Sequence, residues 1–282
     1  MSSGSTKLFW VGFAIAWLAA PSPQPCHATD LYWDTNGATP LGDGSGRWRQ
    51  SSSVAIWSTS PLGDVDTIAL GGSGPIGSVQ FGFGPGPENP GAGGLIEVSN
   101  NSAGSQDPNV SGIIFNASGS APYAIVNRAQ NPAAQITVNV GGLDMPEGVG
   151  ILVNDNVVGD TTFRVNPSSA SPETNDFRIA LGTDQIWRNN SPTYALDVGI
   201  KLTGDAALTT EGPGLIILGG AGSFTGGLTV ASGTLRATHP EALSTGTVTV
   251  AADSTLDVRA AITHDLEGAG LVTIAPGASL AA

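Results

Sequence analysis

Three stretches near the C-terminal end of the chain repeat one pattern of apolar and polar positions. Each has an alternating strand, a tight corner of small residues, and a Leu that opens the next strand. The stretches are 227–235, 248–256 and 272–280. Their equivalent residues Val230, Val250 and Ile274 are 20 and 24 residues apart. This period is typical of stacked coils, in which each coil exposes an apolar row that only a neighbouring coil covers.

The alternation also predicts which side chains face the core. Successive side chains of a strand point to opposite faces, so Thr229, Thr249 and Thr273 are predicted to face solvent. The predicted inward row contains Val230, Leu235, Val250, Leu256, Ile274 and Leu280. Shorter alternating runs at 135–140 and 162–166, separated by turn-forming residues, extend the pattern along the chain. The sequence therefore predicts an all-β solenoid.

The N-terminal segment predicts export. Residues 1–7 carry one positive charge and no acid, and residues 8–20 are apolar or small. Small residues then precede a cleavage site that we place between Ala28 and Thr29, so that residues 1–28 form a secretory signal peptide. The alternative, an uncleaved membrane anchor, is less favoured because an apolar run of this length falls short of the roughly 20 residues that span a bilayer.

Composition fits an extracytoplasmic β protein. The only cysteine, Cys26, lies in the predicted signal peptide, so disulfide and thiolate chemistry are not expected in the mature chain. Removing Lys7 leaves 9 basic against 23 acidic residues, a formal charge of −14, which repels nucleic acid and anionic lipid. The 40 glycines and 19 prolines favour turns, and no helix is predicted beyond the signal peptide.

The mature chain divides into an aromatic head and a repetitive body. Residues 29–109 are interpreted as an N-terminal cap with irregular early coils, and residues 110–282 as the solenoid body. Trp33, Trp48 and Trp57 fall in the cap, where they are expected to cover the open end of the solenoid. The alternative is that they form an exposed carbohydrate-binding platform.

One part of the body resembles a known family. Residues 179–191, 212–220 and 222–235 follow, in order, the elements of the autotransporter-associated β-strand repeat, also called the passenger-associated transport repeat. The resemblance is best over residues 176–260. The positions that carry it are Trp187, Gly212, Gly214, Leu215, Gly219, Phe224, Thr225, Gly226, Gly227, Val230, Gly233, Thr234 and Leu235.

The resemblance implies a fold and a role. It implies a right-handed, single-stranded parallel β-helix that is the passenger of an exported bacterial protein. Such a passenger is displayed at the cell surface, associated with the outer membrane, or released outside the cell. The repeat is expected to aid export and folding by serving as a stable nucleus. Any membrane attachment would require an anchor or translocator that this chain does not contain.

Candidate metal ligands and catalytic groups are sparse. The three histidines, His27, His239 and His264, are too far apart in sequence to form a ligand motif. Asn154, Asp155, Asn156 and Asp160 form an oxygen-rich cluster whose spacing matches no calcium loop. We therefore expect no cofactor and no metal, with a calcium site as the alternative.

Two pairs of acidic residues could each place two carboxylates on one face, as glycoside hydrolysis requires. The pairs are Asp253 with Asp257 and Asp64 with Asp66. Turn formation by Asp explains both pairs better than catalysis does. Lys201 is the only lysine after the signal peptide, so a basic groove of the kind that a polysaccharide lyase needs is not expected.

Two classes of function follow. The favoured class is a secreted or surface-displayed structural or adhesive protein, not an enzyme, with an extracellular polysaccharide or another surface polymer as its partner. The alternative is a carbohydrate-active or carbohydrate-binding β-helix module. An enzyme should bring charged side chains together in a cleft with an aromatic floor, whereas a stalk should carry its charges along its length.

Overall fold

The computed structural model of the protein describes residues 31–33, 46–48, 57–58, 66–67, 76–82, 94–98, 107–116, 122–128, 133–142, 144–166 and 176–281. Every regular element in these ranges is a β-strand. Within the same ranges, no helix is long and apolar enough to cross a membrane. The predicted signal peptide, its cleavage site at Ala28 and Thr29, and the cysteine lie outside the described residues.

The strands form three ladders, which we name A, B and C. Ladder A contains β1 (Leu31–Trp33), β5 (Ile76–Phe81), β7 (Asn109–Phe115), β10 (Val149–Val153), β13 (Gln185–Asn189), β16 (Leu208–Glu211), β18 (Leu228–Val230), β20 (Val248–Val250) and β23 (Leu266–Gly268). Ladder B contains β2 (Gly46–Trp48), β6 (Gly94–Val98), β8 (Tyr123–Asn127), β11 (Thr161–Arg164), β14 (Leu196–Val198), β17 (Leu215–Leu218), β19 (Gly233–Ala237), β21 (Ser254–Val258) and β24 (Leu271–Ile274).

Ladder C is interrupted. Its first part contains β9 (Gln135–Val138), β12 (Arg178–Leu181) and β15 (Lys201–Thr203), and β9 also pairs with the first two residues of β7. Its last part contains β22 (Ala261–Thr263) and β25 (Ser279–Ala281). Between the two parts, a single bridge joins Leu202 to Gly222. Two further strands, β3 (Trp57–Ser58) and β4 (Asp66–Thr67), pair antiparallel beside β1.

Along the chain, strands of ladder A alternate with strands of ladder B, a strand of ladder C follows ladder B where ladder C is formed, and every pairing within a ladder is parallel. This is the strand order of a parallel β-helix, as predicted. The coils shorten along the chain. The register partners Phe81 and Phe115 are 34 residues apart, whereas Thr210, Val230 and Val250 follow one another at intervals of 20 residues. The early coils are longer because their connecting segments are longer.

The predicted inward row is confirmed over most of its length. Val230 pairs with Val250, Leu235 pairs with Leu256, and all four side chains are buried. Thr229 and Thr249, the strand neighbours on the opposite face, are partly exposed, and Thr273 is exposed.

The predicted equivalence was wrong for the third stretch. Ile274 lies in ladder B, pairs with Val258, and is 50% exposed, while Val250 pairs with Gly268. Leu280 lies in ladder C, pairs with Ile262, and packs partly buried against the core, as predicted for the inward row. The corner before Leu280 joins ladders B and C, whereas the corners before Leu235 and Leu256 join ladders A and B. All three corners are built from small residues, so the sequence did not distinguish them.

Aromatic side chains fill the N-terminal end of the core. The side chains of Trp33, Trp48 and Trp57 are at most 2% exposed. The ring centroids of Trp33 and Trp57 are 4.9 Å apart in an edge-to-face arrangement, and Phe81 packs against all three indoles. The tryptophans thus cover the first coils, as expected of a cap, and the exposed aromatic platform is excluded for these residues.

Candidate functional site

The residues that carry the family resemblance lie in the core or in the corners of the β-helix. Trp187, Gly214, Phe224, Val230 and Leu235 are buried. Leu215, Thr234, Gly212, Gly219, Gly227 and Gly233 are partly buried, and only Thr225 and Gly226 are exposed. The indole Nε1 of Trp187 donates a hydrogen bond to the side chain of Gln185 at 2.9 Å, inside the core. These residues build coils and do not converge on a binding site.

Gly212 and Gly214 are required by a buried asparagine. The Asn189 side-chain amide donates hydrogen bonds to the carbonyl oxygens of Tyr194 and Leu215, each at 2.9 Å. Gly212 has a φ of +97°, and a Cβ there would lie 2.3 Å from the Asn189 carbonyl oxygen. A Cβ on Gly214 would lie 2.4 Å from Asn189 Cγ. Only glycine leaves room for this corner.

The described ion pairs are spread over the outer faces of all three ladders. Asp176 binds Arg178 and Lys201 beside ladder C, Arg188 binds Glu211 on ladder A, and Asp257 binds Arg236 and Arg259 on ladder B. Most of these pairs join neighbouring coils. These ion pairs are therefore distributed along the stack, and the two members of each pair lie on the same face.

Asp257 does not form a catalytic pair with Asp253. The Asp257 carboxylate accepts hydrogen bonds from Arg259 and Arg236, which together hold the pKa of Asp257 below its usual value against the opposing effect of burial. It therefore stays ionised and is unsuited to act as a general acid. Asp253 occupies a tight corner with a φ of +63° and is exposed. In the other predicted pair, Asp64 lies outside the described residues.

Two members of the oxygen-rich cluster at 154–160 form hydrogen bonds within the fold, whereas Asn156 Oδ1 is buried without a hydrogen-bond partner among the described residues. Asn154 donates to the Asn116 side chain at 2.6 Å, and Asp160 accepts the Ala195 amide at 2.7 Å. Burial, and secondly the nearby Asp160 carboxylate, raise the pKa of Asp197 above its usual value. Across the described ranges, no three His, Cys, Asp or Glu side chains come together as metal ligands.

A long connection covers part of the outer face of ladder A, which the sequence did not predict. The described residues between β9 and β10 fold back so that Met145 occupies the space above Gly112, where a Cβ would lie 2.7 Å from Met145 Cγ. Met145 also packs against buried Ile114. Asp144 accepts a hydrogen bond from the Tyr32 hydroxyl at 3.0 Å. The connection therefore covers Gly112 and the cluster that contains Ile114.

An open groove of about 980 Å³ lies near the C-terminal end, between the last part of ladder C and the segment 239–247. Its lining includes Glu241, Leu243, Ser244, Ile262, His264 and Glu267. His264 Nε2 lies 2.6 Å from the Ser244 carbonyl oxygen and so joins the two walls. His264 belongs to no sequence motif, because its ring nitrogens contact backbone carbonyl oxygens, that of Asp265 beside it and that of Ser244 on the preceding coil.

The described lining of the groove is acidic and has no large aromatic side chain. It contains Glu241, Asp265 and Glu267, and among the described lining residues there is no Phe, Tyr, Trp, Lys or Arg. His239 precedes the lining residues Pro240 and Glu241 in the sequence. Its Nδ1 accepts a hydrogen bond from the Glu241 backbone amide at 3.1 Å, which stabilises the local turn. His27 lies outside the described residues.

Comparisons with protein-family models, curated proteins and solved structures gave no significant match.

Proposed function

We propose that the protein is an exported β-helical passenger with a structural or adhesive role outside the cell. One observation carries the proposal. The described coils form one continuous stack in ladders A and B, the described ion pairs lie along its outer faces, and the groove near its C-terminal end has no Phe, Tyr or Trp among its described lining residues. A rigid stack of this kind presents a long surface to a partner.

The role of the repeat in export and folding is part of the same proposal. Over residues 201–258, ladders A and B keep an even register from coil to coil, and the inward side chains are buried on both sides of each coil. Each coil stabilises only its neighbours, so a regular segment of this length is suited to form first and to template the next coils. The acidic composition supports a partner that is neutral or basic.

An adhesion measurement tests the proposal. Beads coated with the full exported chain should be retained on insoluble polysaccharides or on bacterial cells more strongly than beads coated with an unrelated acidic protein of similar charge. Reducing-sugar release from the same polysaccharides should equal that of the buffer. Release that depends on the protein would instead favour the carbohydrate-active alternative, and equal retention of both bead types would contradict the adhesive role.

A further inference from the structure

The groove described above is a break in ladder C. The sheet formed by β22 and β25 has two strands, and no described backbone bridge joins β22 to the segment 239–247 of the preceding coil. On the other side of that segment, the Gly222 amide donates to the Glu241 carbonyl oxygen, so the earlier stack continues up to the groove. Ladder C, which immediately before this point consists of the bridge from Leu202 to Gly222 and the bond from Gly222 to Glu241, thus has no described backbone pairing between the segment 239–247 and β22.

The backbone of β22 presents hydrogen-bonding groups to this opening. The Ala260 carbonyl accepts the Ser279 amide at 3.3 Å, and the His264 amide donates to the Ala281 carbonyl at 2.8 Å. In a parallel ladder, alternate residues direct their N–H and C=O groups to the same neighbour. The backbone N–H and C=O groups of Ala261 and Thr263 therefore point away from β25 and toward the groove.

The side chains around the opening define the chemistry of its occupant. Leu243 and Ile262, both buried, form an apolar base, while the carboxyl-bearing residues among the lining are Glu241, Asp265 and Glu267. All three of these acidic residues are exposed. An extended peptide that adds a strand to a sheet needs a free strand edge and an adjoining pocket. Its backbone forms hydrogen bonds with the edge, and its alternate side chains enter the pocket. Carboxylates at the rim favour a positively charged ligand.

We propose that this groove binds an extended, Lys- or Arg-containing peptide segment of another protein, which pairs with the free edge of β22. The bridge from His264 to Ser244 keeps the two walls at a fixed separation, so the edge is held in place before the peptide arrives. The proposal does not depend on the adhesive role, because the groove and its free edge are present whatever the rest of the stack contacts.

Binding of a synthetic probe to the full exported chain tests this inference. The probe is an acetylated Val-Lys-Val-Lys-Val-Lys amide, and its affinity is measured by calorimetry at low ionic strength. Two further probes carry backbone N-methyl groups, one at the Val positions and one at the Lys positions. Strand addition predicts that one methylated probe binds at least about tenfold more weakly while the other matches the parent, because only one set of amides faces β22.

The protein side is tested with variants at the rim. Glu267→Gln should weaken the parent probe by roughly two- to fivefold, in the range expected for an exposed ion pair. Asp205→Asn, which removes an exposed carboxylate outside the groove lining, should leave the affinity unchanged. Amide exchange should slow at Ala261 and Thr263 when the probe is bound, whereas Ile262 and His264, which already face β25, should change little.

Three results would overturn the inference. The first is equal binding of both methylated probes, which would show that charge alone holds the peptide. The second is weakening by Asp205→Asn to the same extent as by Glu267→Gln. The third is protection of Ala261 and Thr263 by a neutral glucan oligosaccharide but not by the peptide, which would assign the groove to carbohydrate.

Discussion

The paired substitutions Val230→Asp and Thr229→Asp test the register of the β-helix at adjacent positions. Val230 is fully buried between Thr210 and Val250 in ladder A, whereas Thr229 lies on the outer face and is partly exposed. The neighbouring pair, Val250→Asp and Thr249→Asp, is less suitable. Thr249 is the register partner of Glu267, so an aspartate there would face a like charge as well as test the register.

The expected magnitudes differ several-fold. Replacing Val230 removes the burial of a valine side chain, which contributes about 1.5 to 3 kcal/mol. It also buries a carboxyl group without a partner, which adds at least about 2 kcal/mol. The free energy of unfolding should therefore fall by about 4 kcal/mol or more. Thr229→Asp should cost about 1 kcal/mol or less, because an exposed strand position loses only β-propensity.

Amide hydrogen exchange followed by mass spectrometry is the appropriate assay, because a stack of coils need not unfold in one step. Val230→Asp should accelerate exchange in β16, β18 and β20 far more than around the tryptophans of the cap. Thr229→Asp should leave the pattern close to that of the wild type. Equal effects, or a larger effect of Thr229→Asp, would refute the assigned register.

Four further substitutions give distinct expectations. Asp197→Asn should stabilise the protein at pH 7. Burial raises the Asp197 pKa, so ionising this carboxyl costs stability as the pH rises from the usual value of 3.8 through the folded-state pKa. The stabilisation by Asp197→Asn should vanish in thermal melts below pH 3.8. Asp257→Asn should destabilise by about 1 to 3 kcal/mol at pH 7, and its effect should disappear as pH falls through the lowered pKa of Asp257, below 3.8. Gly212→Ala should lower the melting temperature more than Gly277→Ala. Both glycines have a positive φ, but only at position 212 would the added Cβ collide with the backbone of Asn189. Equal losses of melting temperature would contradict this expectation. Trp57→Ala should cost about 3 to 5 kcal/mol locally and open the cap to proteolysis first; cleavage beginning in the repeat would argue against a cap.

The sequence was sufficient where one coil repeats the next at constant length. Val230 and Val250, and likewise Leu235 and Leu256, are aligned by a 20- or 21-residue interval that the structure confirms. The sequence-based prediction failed at the last stretch because the same pattern, an alternating strand, a corner of small residues and a Leu, can begin in ladder A or in ladder B. The local alternation predicts which face of a strand a side chain lies on. The ladder to which the strand belongs depends on how many strands precede that strand in its coil.

The features around the candidate sites depend on contacts between distant segments. The packing of Met145 over Gly112 and the contact from His264 to Ser244 each join residues that no local pattern relates. The two guanidinium groups that bind Asp257 come from Arg259, just after the end of β21, and from Arg236 in β19 of the neighbouring coil, so their effect on the Asp257 pKa was not visible in the sequence. The groove is a place where pairing stops, and no sequence periodicity marks it.

Export is the most direct test of the proposed function. The full chain should be produced in a Gram-negative host, and the cytoplasmic, periplasmic and external fractions should be analysed by mass spectrometry of intact protein and N-terminal peptides. We expect the protein to lie outside the inner membrane and to begin at Thr29. Retention in the cytoplasm, or an exported form that still contains Trp10 and Trp17, would contradict it.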